Sequence, residues 1–302
     1  MMYQLLFVLL FVFTPNLVTS QSNVTIGNWT HIYDPSIGES EKWYINDHTF
    51  IKDRNETWHL FGITHPEPGS PDNEILFAHA TAKNLLGPWT KHPPALRVNK
   101  SYFGETHLWA PHVLDFNHSY HMFYNGGGSD RTQYAINLAL SEDLFDWKRL
   151  PSGPLFRDGF DARDPMVRQY NNSTFIIYYT ATSKPTGGNH VVAYRFSTDL
   201  KHWTNRKIAL VDPEVGTWGG ATESPFVVHV NDWFYLFIGP RGNYRGTTVF
   251  KSKDPLNFDF NKQVGKLYTH APEVIYDNNQ WWISHCGWGQ GGVFLAPLYF
   301  PH

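Results

Sequence analysis

Cysteine is almost absent from the 302-residue chain, in which Cys286 is the single example. An internal disulfide is therefore excluded, and the fold must be stabilised by its own hydrophobic core. The sequence has the material for one, because 41% of its residues are hydrophobic and 17% are aromatic. We expect Cys286 to be a small buried residue of that core.

Runs of basic residues and long apolar runs are missing as well. The formal net charge is −3, so the chain lacks the electrostatic footprint of a nucleic-acid-binding protein. The apolar stretch Leu5–Phe13 is shorter than the ~20 residues of a membrane-spanning helix. Val18–Ser20 supply a small-residue cleavage site, so residues 1–20 predict a secretory signal peptide. We expect a secreted protein with neither nucleic acid nor a membrane as a partner.

Asn-x-Ser/Thr sequons are frequent for a chain of this size, and a secreted protein can carry glycans at such sites. We expect some of them to be glycosylated and to lie on the surface. The seven sequons begin at Asn23, Asn28, Asn55, Asn99, Asn117, Asn171 and Asn172.

Five segments share one pattern, in which a short polar motif precedes an apolar strand, an Asn/Asp-rich turn and an aromatic strand. Such turns are typical of hairpins, and the 24 glycines and 20 prolines agree with a fold of strands and turns. A third strand follows each hairpin and usually leads through a polar turn into a fourth. The segments are 46–63, 109–127, 162–181, 222–240 and 270–288.

The spacing of these units predicts an all-β fold, a five-bladed β-propeller with four antiparallel strands per blade. The last unit is one strand short, so residues around Gly27–Tyr33 are expected to supply its outer strand and close the ring. A sandwich or a solenoid is the alternative, but neither explains why the polar motif returns at the same place in every unit. We expect residues 21–302 to form one catalytic domain and the protein to be a monomer.

The polar motif opens the first strand of each unit, which in a propeller lines the central channel. All five first strands enter the channel from the same face, so their opening residues are expected to meet in one pocket. Units one, three and four contribute the carboxylates Asp47, Asp164 and Glu223. The residues expected to flank them are Trp109, His112, Arg163 and His270.

Three carboxylates in one partly desolvated pocket suit glycoside hydrolysis. Like charges held close together push their pKa values apart, which separates an acid from a base or nucleophile. One group then protonates the leaving oxygen while another acts from the opposite face of the sugar. Arg163 is placed to keep Asp164 anionic. A non-catalytic role, such as capping a blade or binding a structural cation, explains a single acid of this kind. It explains three acids at equivalent positions of three blades less well.

With these motifs the chain resembles the furanosidase-type five-bladed propellers, the glycoside hydrolases of families 32 and 43, over about residues 45–300. The resemblance rests on IND at 45–47, LWAPH at 108–112, ARDP at 162–165 and TESP at 222–225. It implies that Asp47 is the general base or nucleophile, that Asp164 orients the substrate and tunes the pKa of the acid, and that Glu223 is the general acid. It also implies an oligo- or polysaccharide substrate, furanose-type or related, and no cofactor.

Two positions depart from the pattern of those families. His48 stands where they usually have proline, and Glu223 is followed by Ser-Pro. The segment YDPSIG at 33–38 also resembles the first-blade motif, which leaves Asp34 as an alternative to Asp47. We favour Asp47, because a strand–turn–strand unit of the repeat length follows it directly.

Eight further residues are expected to bind the substrate. Tryptophans can stack on sugar faces, Arg241 can contact Glu223 or a sugar hydroxyl, and histidines can bind the substrate or a central water. No His/Cys spacing indicates zinc, and no metal ligand is assigned, although an axial calcium ion is compatible with the acids. The eight residues are His48, Trp109, His112, Arg163, Arg241, His270, His285 and Trp288.

The leading functional prediction is a secreted glycoside hydrolase, and two rivals remain open. A lectin-like propeller would keep the pocket and bind carbohydrate without chemistry, which the altered surroundings of Glu223 allow. A glycosyltransferring or phosphorolytic enzyme would use the same fold. A phosphate user needs several basic residues around the pocket, however, and Arg163 and Arg241 are the candidates.

Overall fold

The computed structural model describes residues 23–241 and 243–301, so the predicted signal peptide at 1–20 lies outside the described residues. Within these ranges the chain forms 21 strands and no α-helix. No helix in the described ranges is long and apolar enough to cross a membrane. Three single-turn 3₁₀ helices occur in loops, at Pro71–Asn73, Arg131–Gln133 and Gly220–Thr222.

The strands form five antiparallel sheets, which are the blades of a five-bladed β-propeller, as predicted. Two short strands come first, β1 (Thr25–Ile26) and β2 (Thr30–Tyr33). Blade one contains β3 (Trp43–Lys52), β4 (Trp58–Pro66), β5 (Leu76–Ala82) and β6 (Thr90–Arg97). Blade two contains β7 (Trp109–Phe116), β8 (Ser119–Gly126), β9 (Ala135–Ser141) and β10 (Lys148–Arg149).

The remaining blades follow the same order from the inner to the outer strand. Blade three contains β11 (Arg163–Asn171), β12 (Thr174–Lys184), β13 (Gly187–Ser197) and β14 (Lys207–Gly216). Blade four contains β15 (Phe226–Val230), β16 (Trp233–Ile238), β17 (Thr247–Ser252) and β18 (Gln263–Leu267). Blade five contains β19 (Val274–Asp277), β20 (Gln280–His285) and β21 (Val293–Tyr299).

The N-terminal strands complete blade five and so close the ring, which confirms the predicted closure. Both β1 and β2 pair antiparallel with β21, with Thr25 opposite Tyr299 and Thr30 opposite Leu295. Since β21 would otherwise be an outer edge strand, this pairing satisfies backbone groups that could bind another chain.

The hairpin turns form where the sequence places Asn and Asp. Asn117 and His118, between β7 and β8, both have positive φ, as do Asn278 and Asn279 between β19 and β20. Two successive residues in this conformation make the turn whose twist matches a hairpin, and asparagine tolerates it well.

A backbone kink recurs in all five blades, where one non-glycine residue adopts positive φ within β3 or close to the first residue of the other four inner strands. Proline follows it in every blade except the first, where His48 takes that place. This conformation is uncommon for residues with a Cβ, so its repetition shows that each blade begins with the same turn towards the axis. The kinked residues are Asp47, Ala110, Asp164, Ser224 and Ala271.

The core lies between the faces of neighbouring blades. One cluster joins Phe123 and Leu138 of blade two to Ile177 and Tyr179 of blade three. Cys286 is a free, fully buried cysteine, as expected, and its Sγ lies 2.9 Å from Nδ1 of His48.

Candidate active site

A cavity of about 870 Å³ opens at the end of the ring where the inner strands begin. We call it the axial cavity. Every blade contributes to its lining, and the five kinked turns account for the convergence. Representative lining residues, one from each blade in order, are Asp47, Trp109, Asp164, Glu223 and His270.

Ser224 links two of the predicted catalytic carboxylates. Its Oγ donates to Oδ1 of Asp47 over 2.8 Å, and its backbone N–H donates to Oδ2 of Asp164 over 3.0 Å. Because one residue bonds to both side chains, acids from blades one and three lie side by side although 117 positions separate them in the chain. The structure therefore brings together Asp47 and Asp164, as the repeat pattern predicted.

Glu223 reaches the same cavity from a different register, which corrects the sequence alignment of the blades. The kinked residue equivalent to Asp47 and Asp164 is Ser224, and Glu223 precedes it by one residue. Its equivalent in blade three is Arg163. A one-residue offset turns a side chain in a different direction, so Glu223 faces Arg163 from the neighbouring blade.

Arg163 joins three carboxylates. Its Nη1 donates to Oδ2 of Asp164 over 2.7 Å, its Nε donates to Oδ1 of Asp161 over 3.3 Å, and its Nη2 donates to Oε1 of Glu223. The guanidinium is buried, and such charge-assisted bonds are among the strongest in proteins. The three charges of the segment DARDP at 161–165 therefore orient Glu223 as well as one another.

Burial and neighbouring charges raise the pKa values of the carboxyl groups. Burial is the main cause for Glu223, whose pKa rises to about 7 because the charge of Asp164 adds to the effect and Arg163 only partly opposes it. Burial and then Asp164 raise the pKa of Asp47, while the Ser224 hydrogen bond opposes the shift. Burial also raises the pKa of Asp164, against the lowering effect of Arg163. The geometry thus favours a protonated Glu223 beside carboxylates that receive hydrogen bonds.

Two buried carboxylates that line the axial cavity, Asp161 and Glu74, were not found from the sequence. Asp161 is buried and receives hydrogen bonds from Arg163 and from the backbone N–H of Gly219. Asp161 is the first residue of the charged segment DARDP at 161–165. It was missed because the repeat pattern aligned only Asp164 of this segment with residues of the other blades.

Glu74 is the second missed carboxylate. Its Oε1 accepts hydrogen bonds from Nε1 of Trp288, over 3.0 Å, and from the hydroxyl of Tyr44, over 3.2 Å. Burial raises the pKa of Glu74 to about 7. It follows the 3₁₀ turn between β4 and β5, outside the repeated motif, so no sequence signal pointed to it.

Five of the eight predicted substrate-binding residues line the axial cavity. Trp109 packs on His107, with ring centroids 4.0 Å apart, and Nε2 of His270 lies 3.0 Å from Oδ1 of Asn46. All five residues are polar or aromatic groups that could contact a sugar. They are Trp109, Arg163, Arg241, His270 and Trp288.

Arg241 does not contact Glu223, contrary to one of its two predicted roles. Its guanidinium donates two hydrogen bonds to the buried carboxylate of Asp212, the shorter being 2.7 Å from Nη2 to Oδ1. It also lies over the ring of Phe260, 5.0 Å from the centroid. These contacts fix the side chain beside the cavity.

His48, His112 and His285 do not line the axial cavity, so their expected positions were wrong. His48 follows Asp47, and alternation along the strand turns its ring away, towards Cys286. Nε2 of His112 donates to the carbonyl of Val167 in the next blade over 2.9 Å. Nδ1 of His285 accepts from the backbone N–H of His270 over 3.1 Å. All three are structural contacts within or between blades.

Asp34 also lies outside the axial cavity. It occupies the turn after the outer strand β2, where its Oδ1 accepts from the backbone N–H of Ser36 over 2.8 Å. An outer strand is on the far side of its blade from the axis. The structure therefore favours Asp47 as the first-blade acid.

The family of the chain follows from a sequence comparison. The family model described as the glycosyl hydrolases family 32 N-terminal domain matches residues 39–233. The chain belongs to this family. The matched range contains Asp47, Asp164 and Glu223. Glycoside hydrolases of this family need no cofactor, and the described residues contain no group of three or more His, Cys, Asp or Glu able to hold a metal ion.

A protein of Psychromonas ingrahamii described as a "Probable sucrose-6-phosphate hydrolase" is 29% identical over 192 residues. The match covers 61% of this chain and 34% of that protein. The chain thus matches about a third of the length of this curated relative.

Two solved structures share the fold. The first is a thermostable family-43 glycoside hydrolase, with a TM-score of 0.65 and 17% identity over 85% of this chain and 90% of that one. The second is a family 32 beta-fructofuranosidase of Bombyx mori, with a TM-score of 0.61 and 16% identity over 85% of this chain and 59% of that one. At these identities the similarity establishes the propeller fold.

Replacing Ser224 by alanine is expected to lower kcat/KM about 10- to 100-fold, since a hydrogen bond to a charged group contributes roughly 1.5–3 kcal/mol. Without its donor, Asp47 has a higher pKa, so the acidic limb of the pH–rate profile should move to higher pH. Steady-state kinetics across pH measure both effects, with Ser152→Ala, at an exposed turn after β10, as the control. An unshifted acidic limb would show that the hydroxyl has no influence on Asp47.

Proposed function

We propose that this family 32 protein is a secreted glycoside hydrolase that cleaves a furanose-type or related glycosidic bond. The supporting observation is the connected set of Asp47, Asp164 and Glu223, joined through Ser224 and Arg163 inside one cavity. Family membership and the Psychromonas ingrahamii relative support the same reaction class.

Glu223 acts as the general acid in this proposal. Its pKa of about 7 keeps a large fraction protonated at neutral pH, which is the state an acid needs to protonate the leaving oxygen. Arg163 binds Oε1 and leaves Oε2 as the oxygen that faces the glycosidic bond. The proton then moves to the leaving sugar as the bond to the anomeric carbon breaks.

Asp47 acts on the anomeric carbon, either as the nucleophile or as the base for a water molecule. The Ser224 hydroxyl holds Oδ1 and leaves Oδ2 free for this step. An ionised Asp47 is required in both cases. Nuclear magnetic resonance of the first-formed sugar would distinguish retention, through a glycosyl-enzyme, from inversion through direct attack of water.

Asp164 stabilises the positive charge that develops on the sugar ring. Arg163 and the backbone of Ser224 both donate to its Oδ2, which holds the carboxylate in place before the substrate arrives. Preorganised charges of this kind stabilise a transition state more than the ground state. The negative charge of Asp164 also helps to keep Glu223 protonated.

Secretion and glycosylation form part of the proposal. The segment 1–20 has the composition of a signal peptide, and the asparagine of each of the seven sequons is exposed. Expression in a eukaryotic host should yield a processed protein in the medium. Its mass should fall on treatment with an N-glycan amidase.

A substrate panel tests the proposed activity. The purified protein is incubated with 4-nitrophenyl furanosides, sucrose, fructans and arabinans, and released sugar is measured alongside binding by calorimetry. Hydrolysis of at least one substrate, absent in an Asp47→Asn/Glu223→Gln protein, is expected. Binding without product release would instead identify a lectin-like protein.

A bell-shaped pH dependence is expected for hydrolysis. Glu223 must be protonated, so the rate should fall as the pH rises through about 7, the pKa of that group. Asp47 must be ionised and its pKa is raised, so the rate should also fall on acidification, at a higher pH than for an exposed aspartate. Initial rates on a substrate with a poor leaving group measure both limbs. A flat profile between about pH 5 and pH 9 would contradict both assignments.

A further inference from the structure

Trp218 is the most exposed of the three tryptophans that line the axial cavity. Its side chain is 50% exposed, whereas Trp109 and Trp288 are half-buried against other aromatic rings. Among residues 23–241 and 243–301, no ring packs on Trp218 in this way. A large aromatic ring that lines a cavity and stays open to solvent offers a contact surface for a ligand.

The backbone next to Trp218 is held by hydrogen bonds, and the indole ring packs on a glycine. The carbonyl of Gly219 accepts hydrogen bonds from Oγ1 of Thr180, over 3.0 Å, and of Thr222, over 3.1 Å. The N–H of Gly219 donates to Asp161. The ring lies against Gly220, where a Cβ would come within 2.6 Å of Trp218 Cζ2. A tryptophan side chain has only two rotatable bonds, so it binds a ligand with little loss of conformational entropy.

Trp218 lies near Glu223, the proposed general acid, and therefore on the leaving-group side of the cleaved bond. It precedes Glu223 by five residues, and the chain of bonds from Gly219 through Asp161 and Arg163 leads to Glu223 itself. The acid acts on the oxygen of the leaving group. A platform on the same loop as the acid therefore lies beside the leaving part of the substrate.

The size of the axial cavity agrees with a long substrate. At about 870 Å³ it lies near the upper end of the range for small-molecule sites. Asp161 and Asp164 in its lining are buried, whereas Trp218 is half exposed.

We propose that Trp218 is a subsite for an additional sugar ring of an oligosaccharide, on the leaving-group side of the cleaved bond. This inference rests on the proposed glycosidase function and specifies its substrate as a chain of three or more sugars. The apolar C–H face of the sugar packs on the indole ring, and its hydroxyl groups remain in water.

Chain-length dependence tests the subsite. Wild type and Trp218→Ala are compared on a 4-nitrophenyl furanoside and on the di-, tri- and tetrasaccharides of the fructan or arabinan that the panel shows to be cleaved. KM for the tri- and tetrasaccharides should rise about tenfold with kcat unchanged, and KM for the nitrophenyl glycoside should change less than about twofold. Trp218→Phe should restore most of the loss.

Tyr276→Ala serves as the matched control, because Tyr276 is 54% exposed on β19 and does not line the axial cavity. Equal increases in KM for all chain lengths, or none, would overturn the subsite. If no substrate is cleaved, the proposed hydrolase fails separately, and calorimetry with the same oligosaccharides replaces kinetics. Binding that tightens from di- to tetrasaccharide in the wild type but not in Trp218→Ala would then still support the subsite, and equal affinities would overturn it.

Discussion

Glu223→Gln should lower hydrolysis of a natural glycoside by about 10²–10⁴-fold, the usual contribution of a general acid. Glutamine keeps the size of the side chain and can still accept from Arg163 but has no proton to give. A 4-nitrophenyl glycoside, whose leaving group needs little protonation, should retain a far larger share of the wild-type rate. The pH profile of Glu223→Gln should lack the alkaline limb, because that limb reports the ionisation of Glu223.

The control for this experiment is Glu142→Gln, which makes the same chemical change at an exposed position after β9. It should leave both substrates unaffected. Equal losses on good and poor leaving groups in Glu223→Gln would assign the residue to binding or charge stabilisation, and the acid would have to be sought elsewhere, with Glu74 as the first candidate.

Asp47→Asn should abolish turnover of every substrate, with kcat falling by on the order of 10³-fold or more, equivalent to about 4 kcal/mol of transition-state stabilisation. The loss in Asp47→Asn should not depend on the leaving group, unlike the loss in Glu223→Gln. Asparagine can neither attack the anomeric carbon nor activate a water molecule to attack it. Asparagine can still accept from Ser224, so the fold and sugar affinity should remain. Circular dichroism and calorimetry measure those two properties.

Asp34→Asn is the informative companion to Asp47→Asn. Both residues fit the first-blade motif by sequence, but Asp34 lies in the turn after β2. Its variant should keep wild-type kcat. A large loss in Asp34→Asn together with an active Asp47→Asn would reverse the assignment and the register of blade one.

The fold could be predicted from the sequence because its signals are local and repeated. Asn117 and Asn278 mark tight turns within their own hairpins, and the prolines after the kinks mark the inner strand in four of the five blades. Even the closing strand was predictable, since blade five lacks an outer strand unless the N-terminal segment supplies one. Each of these inferences requires only the pairing of neighbouring segments.

The site was predictable only in part, because side-chain direction at a kink depends on a single residue. The pattern placed Glu223 in register with Asp164, whereas the structure aligns it with Arg163. His48 was assigned to the pocket although alternation turns it away. Glu74 could not be found because the loop after β4 carries no repeated motif, and its approach to Trp288 depends on the arrangement of whole blades.

Because β1 and β2 pair with β21, a truncation at the N-terminus exposes a strand at the C-terminus. The first and last described strands are neighbours in one sheet, so removing the segment up to residue 33 would open the circle at a place remote from the carboxylates. The uncovered β21 would then offer its free backbone groups to a second molecule, and self-association would accompany any loss of activity. A protease in the surroundings could therefore inactivate the protein without reaching its catalytic centre.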